Sequence, residues 1–292
     1  MPTAHAWGLD VIRWLQQGSP ALDLPFRALT LLGSVGFAAA LVAVLYWAID
    51  QRAALALTGL YLLSALLNSA LKALLQQPRP ADLEIGVAIL TQAGGYGLPS
   101  GHTQNSVVLW GYLAWRWPHR WLRWLCGAVL VLVPLSRVYL GAHFPTDLMG
   151  GYVTGLLVLL AGKALAHHRP AEAHQRSWLA LPIGLLAVLS LPGLAIYRSE
   201  TLAVAAFGGG LAIGYLAERR WVRFGEAASG AQRVWRALLG LSTSAALAGA
   251  AMGLRSTVWI SLILLALAGL WVTWGAPSVF RQLWRSAEQD TG

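Results

Sequence analysis

Long apolar runs broken by short polar stretches dominate this chain, and their lengths predict membrane-crossing helices. Nine stretches are predominantly apolar, near 28–48, 54–74, 102–117, 122–138, 147–166, 177–196, 200–217, 236–254 and 257–276. Several lie near the short end of the roughly 17–25 residues that a spanning helix needs. The third stands apart because it opens on polar residues, Ser100-Gly-His102. Residues 1–23 break the pattern, with Asp10, Arg13 and Asp23 among scattered apolar positions. That is not the run of a cleavable signal peptide. Trp7, Val11, Trp14 and Leu15 instead predict a short amphipathic helix lying at the membrane interface.

Composition strengthens this reading. Of 292 residues, 57% are apolar and only 11% are charged, against about 25% charged in soluble domains. The expected fold class is all-α, a polytopic integral membrane helical bundle of about nine transmembrane helices. Three parts follow: an interfacial N-terminus over 1–23, a transmembrane core over 24–166, and an accessory block over 167–292. The last holds about four helices and a short C-terminal tail.

The net charge of +9 raises the question of nucleic acid, but topology accounts for it. Counting spans from an external N-terminus puts 14 of the Lys and Arg residues inside and 7 outside. That bias is the positive-inside pattern of a cell-membrane protein whose C-terminus is cytoplasmic. No nucleic-acid partner is implied. Trp115, Trp117, Trp121 and Trp124 crowd one inner boundary as interfacial belt residues. The single cysteine, Cys126, lies inside the fourth span and can form no internal disulfide.

Three polar clusters interrupt the first five spans, and helix counting puts all three on the external face. Ionisable groups at the bilayer centre cost roughly 2.5–3.5 kcal/mol each, so clusters beside spans read as sites. Lys72 and Arg79 lie two helical turns apart, and Pro78 and Pro80 end any regular helix there. Such a pair either snorkels at the interface or clamps an anion, Arg offering a planar fork and Lys a point charge. Ser100, Gly101 and His102 follow an irregular, glycine-rich segment over 81–99 with room for one short helix. They sit where a loop becomes a helix, a place for a simple N-cap or for an anion on free backbone N–H groups. His143 and Asp147 are four apart, close enough in a turn or helix to hydrogen-bond, with Arg137 nearby. A carboxylate on one imidazole nitrogen fixes the tautomer and leaves the other free to attack.

Together the clusters read Lys-x6-Arg-Pro, Pro-Ser-Gly-His and Ser-Arg-x5-His-x3-Asp. This order and spacing closely resembles the type 2 phosphatidic acid phosphatase (PAP2) family, which also includes vanadium haloperoxidases. The resemblance covers roughly residues 60–160 and fills every motif position. It implies a PAP2-like catalytic core in which His143 is the nucleophile and Asp147 orients it. His102 would protonate the leaving oxygen and later activate water, while Lys72, Arg79, Ser100, Gly101 and Arg137 would hold the phosphoryl oxygens. No metal is expected, because three nearby cations oppose a divalent ion and no tight two-histidine spacing is present. No other cofactor is implied.

The resulting expectation is a metal-independent membrane phosphatase. It would act at the external leaflet on undecaprenyl diphosphate, phosphatidylglycerol phosphate or phosphatidic acid, whose tail stays in the bilayer. A lipid phosphotransferase using the same phosphohistidine relay fits the same motifs. So does a lipid transporter or flippase in which the cations only recognise phosphate. The haloperoxidase reading is disfavoured by the membrane setting.

Overall fold

The apolar periodicity resolves into helices joined by short connections in a computed structural model, which describes residues 2–83, 86–167, 198–225, 229–253 and 258–289. In chain order these are α1 (Pro2–Gln16), α2 (Asp23–Leu31), α3 (Val35–Val44), α4 (Gln51–Leu75), α5 (Gly101–Arg116), α6 (Arg120–Tyr139) and α7 (Pro145–His167). They continue with α8 (Arg198–Ala217), α9 (Gly230–Gly253), α10 (Val258–Leu270) and α11 (Ala276–Gln289). Wider π-helical turns close α3, α8 and α10, at Leu45–Ile49, Glu218–Val222 and Trp271–Gly275.

Four helical stretches among the described residues are long and apolar enough to cross a membrane: Gln51–Leu83, Arg120–Tyr139, Pro145–Ala166 and Val258–Trp284. The bent pair Asp23–Leu31 and Val35–Ile49 makes five if it counts as one span. The count of nine expected from the sequence is therefore not reached there. The expected span at 177–196 and most of the polar inner loop before it lie outside the described residues. The stretches near 102–117, 200–217 and 236–254 do form helices, α5, α8 and α9. Of these, α5 has only 16 residues, and Thr103, Gln104, Asn105 and Ser106 form a buried polar turn near its start. Apolar length alone does not select such a helix.

The described residues fall into two units. One holds those up to Ala38 and from Gly59 to His167; the other holds Ala39 to Thr58 and Arg198 onward. In the first, α5 packs on α6 and α7, α2 packs on α6, and α1 touches both α6 and α7. The buried positions of α6 include Cys126, Val129, Val133 and Arg137. Their spacing of three or four keeps one stripe inward and carries the arginine into the interior. Close approach of α7 to α5 depends on Gly155, where a Cβ would stand 2.7 Å from the Gln104 carbonyl oxygen. The opposite side of α7 leaves Val153, Leu156, Leu157 and Leu160 exposed, as a lipid-facing surface requires. Helix α1 buries Leu9 and Ile12 against Val138 and Phe144 while Trp7 and Trp14 stay exposed. Gln16 then fastens the end of α1, donating to the carbonyls of Ala88 at 2.7 Å and Tyr139 at 2.8 Å.

In the second unit, α8 and α10 cross where Gly210 meets the Ala266 backbone and Gly269 meets the Phe207 carbonyl. Trp47 is buried there, donating from its indole to the Val272 carbonyl at 2.7 Å and meeting Phe280 edge-on. Arg236 is buried beneath the Phe224 and Trp284 rings.

Candidate active site

Helix α6 ends at Tyr139 and α7 begins at Pro145, so His143 lies in the tight connection and Asp147 in the first turn of α7. The spacing of four brings Asp147 Oδ2 to 3.1 Å from His143 Nδ1, and the same oxygen accepts the Phe144 backbone N–H at 3.0 Å. Both side chains are buried, at 2% and 3% exposure. Gly97 makes room for the carboxylate, since a Cβ there would stand 2.8 Å from Asp147 Oδ2.

These partners dictate the tautomer. Nδ1 carries the proton donated to the carboxylate, which leaves a lone pair on Nε2. Arg79 Nη1 lies 3.0 Å from Nε2 and donates to it. Burial lowers the His143 pKa well below its ordinary value, and the charges of Arg79, Arg137, Lys72 and His102 push the same way. The ring is therefore neutral at physiological pH, as a nitrogen nucleophile must be.

Arg79 organises the irregular segment that precedes α5. Its Nε donates to Gly95 O at 2.6 Å, Nη2 to Gly94 O at 2.9 Å, and Nη1 to Ala142 O at 2.8 Å. Its own backbone N–H is taken by Asp82 Oδ2 at 2.7 Å. The short helix expected in this segment is a single 3₁₀ turn, Pro80–Leu83. Flanking prolines restrict the backbone here, and carbonyls left free by the irregular path become acceptors for one guanidinium.

At the start of α5, Ser100 makes no side-chain cap. Its backbone N–H goes to the Asp147 carbonyl at 2.9 Å, tying α5 to α7. The Ser100 hydroxyl is fully buried and has no hydrogen-bond partner among the described residues. A buried hydroxyl in that state costs roughly 1–3 kcal/mol, a cost that an incoming oxygen ligand would relieve. Gly101 packs beside Asn68, whose Oδ1 would lie 3.1 Å from a Cβ at that position.

All eight residues singled out from the sequence thus converge. Arg79, His143, Asp147 and Ser100 are linked through direct hydrogen bonds. Lys72, Arg137 and His102 lie close enough to act on the charge of His143. Gly101 joins Ser100 to His102. Lys72, Arg79 and Arg137 are each buried to 6% exposure or less. Three cations withdrawn from water around one neutral imidazole are an arrangement that suits a multiply charged anion. Among the described residues, no three His, Cys, Asp or Glu side chains are grouped as metal ligands would be.

Sequence reasoning missed the layer beneath. Asn68 donates to Pro99 O at 3.1 Å and to Gln104 Oε1 at 2.8 Å, while Gln104 Nε2 donates to Ser64 O at 2.8 Å. Thr154 Oγ1 donates to Gln104 Oε1 at 2.9 Å. This network joins α4, α5 and α7 directly under the Pro99–His102 turn. Asn68 stands one helical turn before Lys72, a placement readable from the sequence. Arg137 Nη1 also reaches Thr30 Oγ1 on α2, at 2.9 Å, which no local spacing announces.

A helical protein with apolar spans and a buried imidazole–carboxylate pair ringed by cations has the make-up suited to handling phosphate groups at a bilayer. Comparison with known proteins makes that reading specific. The PAP2 superfamily model matches residues 53–170, which contain all eight site residues, and the PAP2 superfamily phosphatase transmembrane extension matches 202–289. The chain belongs to the PAP2 superfamily. It is 31% identical over 153 residues to lipid phosphate phosphatase delta of Arabidopsis thaliana, covering 47% of this chain and 37% of that one. It is 35% identical over 107 residues to phosphatidylglycerophosphatase B of Bacillus subtilis, covering 34% and 50%. Against a lipid A 4'-phosphatase of Porphyromonas gingivalis it is 30% identical over 124 residues, covering 39% and 52%. The chain thus spans about a third to a half of the length of these curated relatives. A solved structure, the transmembrane PAP2-type phosphatidylglycerolphosphate phosphatase of Bacillus subtilis, matches at 25% identity and a TM-score of 0.46. It covers 56% of this chain and 88% of that one.

Proposed function

We propose that the protein hydrolyses a lipid phosphate or diphosphate at the external leaflet through a phosphohistidine intermediate. The observation that carries this reading is the His143 ring, with Nδ1 tied to Asp147 and Nε2 set among three buried cations. Phosphate-monoester hydrolysis can need up to ~10²¹-fold acceleration. Concentrated positive charge and a covalent relay both contribute to such an acceleration.

In the first step His143 Nε2 attacks the terminal phosphorus and its bond to the leaving oxygen breaks, that oxygen being the lipid's own in a monoester and the bridging oxygen of the lipid monophosphate in a diphosphate. His102, which takes up a proton as the negatively charged substrate enters among the cations, gives that oxygen its proton. Arg79 Nη1 moves from Nε2 to a phosphoryl oxygen, so its charge follows the charge that develops. In the second step His102 takes a proton from water, and the hydroxide attacks phosphorus. The P–N bond breaks, inorganic phosphate leaves, and His143 returns neutral. Asp147 holds the Nδ1 proton throughout and stabilises the positive ring of the intermediate.

Residues 24–166 form the catalytic core of this proposal, 1–23 an interfacial helix, and 167–292 an accessory membrane block. The excess of Lys and Arg on one side, counted over the nine apolar stretches of the sequence, supports an external site under the positive-inside rule. Undecaprenyl diphosphate is the favoured substrate, because its headgroup is handled on that side; phosphatidylglycerol phosphate and phosphatidic acid are the other candidates. The relatives named above are phosphatases of lipid phosphates, in keeping with this class.

The test is phosphate release from a panel of these lipids by purified protein in detergent with chelator present. One or more should turn over, and an acid-labile phosphoryl group should be trapped on His143 after rapid quenching. Undiminished turnover by His143→Ala would overturn the mechanism.

A further inference from the structure

We propose that Thr30 is a positioning residue of the phosphate site, its hydroxyl setting the Arg137 guanidinium at the angle that presents its remaining donors to the phosphoryl group. The inference rests on the reading of the site as a phosphoryl-binding pocket, and it concerns a residue that lies before the matched superfamily domain at 53–170.

Arg137 enters the interior on the buried stripe of α6 and retains only 4% exposure. Its fork is rigid and planar, so fixing one nitrogen fixes the plane of all five N–H groups. Nη1 is fixed by Thr30 Oγ1 at 2.9 Å, whereas Nε has no hydrogen-bond partner among the described residues. A buried arginine donor left in that state marks a place where an acceptor is expected.

Thr30 is itself held on both sides. Earlier on α2, Asp23 accepts the Tyr139 hydroxyl at 2.6 Å and Phe26 stacks on the Tyr139 ring at 4.3 Å. Just beyond it, Trp110 donates to the Leu32 carbonyl at 3.1 Å. Gly33 then fits where a Cβ would meet Val133 Cγ1 at 2.5 Å, Ser106 Oγ at 2.8 Å and the His102 carbonyl at 3.4 Å. The end of α2 is therefore clamped against the helix that carries His102 and the helix that carries Arg137. A hydroxyl held this firmly is a fixed anchor.

The chemistry of the anchor matters. A hydroxyl orients a guanidinium without cancelling its charge, so the full positive charge stays available to the phosphoryl oxygens. A carboxylate at the same place would pair with the arginine and compete with the ligand. Threonine supplies direction while leaving the charge unspent.

Binding of inorganic phosphate to the purified full chain, measured by calorimetry, tests this without relying on turnover; turnover of a lipid phosphate is measured beside it. Thr30→Val, which keeps the shape and removes the hydroxyl, should weaken phosphate binding and lower kcat/KM by about tenfold. Thr30→Ser should stay within about twofold of wild type, and Thr30→Asp should bind phosphate more weakly than Thr30→Val. In an Arg137→Ala background, Thr30→Val should change phosphate affinity no further, because the two residues act through one contact. Wild-type affinity in Thr30→Val, no rescue by serine, or an equal loss in both backgrounds would overturn the proposal. If wild type binds phosphate but hydrolyses no lipid phosphate, the hydrolytic reading falls while the binding series still decides the role of Thr30. If wild type does not bind phosphate at all, both fall.

Discussion

Arg79 and His143 are hydrogen-bonded to each other at 3.0 Å, with the guanidinium covering the ring nitrogen that carries the free lone pair. In the proposed mechanism the attacking atom is thus already in contact with the group that would later hold the phosphoryl oxygens. Substitution of either changes the other.

Arg79→Ala should reduce kcat/KM by about 10²–10³, the range seen when one preorganised donor to a developing oxyanion is lost. It should also loosen the segment before α5, because Gly94, Gly95 and Ala142 lose their common donor. Arg79→Lys restores the charge without the fork and should recover only part of the rate. Steady-state kinetics on a lipid phosphate, with proteolysis mapping of residues 86–99, would read both effects.

Asp147→Asn should lower kcat by roughly 10²–10⁴ while the protein still folds. The amide preserves the shape but removes the charge that stabilises a cationic ring and frees the tautomer to reverse. Rapid-quench measurement should find little phosphohistidine in this variant. Full labelling at the wild-type rate would count against the assigned role.

The lowered pKa of His143 fixes the sign of a pH effect. In the unfolded chain the ring takes up a proton near about 6.5, whereas in the folded protein it stays neutral to lower pH. Between the folded pKa and about 6.5 the unfolded state binds more protons, so this group makes stability fall as pH drops through that window. Below the folded pKa its contribution stops changing. ¹⁵N spectra of the imidazoles should find His143 uncharged at about pH 6, and His143→Asn should flatten the dependence of stability on pH over that window. An ordinary histidine titration at His143 would contradict the described burial.

Gln104 is fully buried and engages Ser64, Asn68 and Thr154. Gln104→Leu should destabilise the protein by roughly 1–3 kcal/mol, because it leaves a buried Asn68 N–H without that acceptor and the Ser64 carbonyl without that donor. Since Asn68 also holds the Pro99 carbonyl, turnover should fall with stability. Thermal unfolding in detergent and activity at low temperature separate the two effects.

The eight candidate site residues stand out in the sequence because short polar motifs contrast sharply with a chain that is otherwise apolar. Pro78, Pro80 and the glycines before Ser100 also marked where regular helix must stop. Thr30 was not legible, since it meets Arg137 across 107 positions through the packing of α2 on α6. Asn68 was half-legible: its helical register with Lys72 could be read, but its partner Gln104 looked like one more polar residue at the start of a span. Helix α5 shows why counting apolar runs misleads here. Its polar turn over Thr103–Ser106 is buried against protein, and a hydropathy window cannot distinguish a side chain facing a neighbouring helix from one facing lipid. The docking of Leu9 and Ile12 on Phe144 was hidden for a related reason: the amphipathic pattern of α1 announces an apolar face without naming what covers it.

Cys126, on the inward stripe of α6 and almost fully enclosed, gives the molecule a built-in clock. A thiol reagent can reach it only when α6 separates from its neighbours, and no second cysteine contributes signal. The rate of its modification therefore counts openings of the helix that delivers Arg137, in the unaltered chain and without an attached label. Slowing of that clock by added phosphate would measure, in units of time, how tightly an occupied pocket holds the bundle shut.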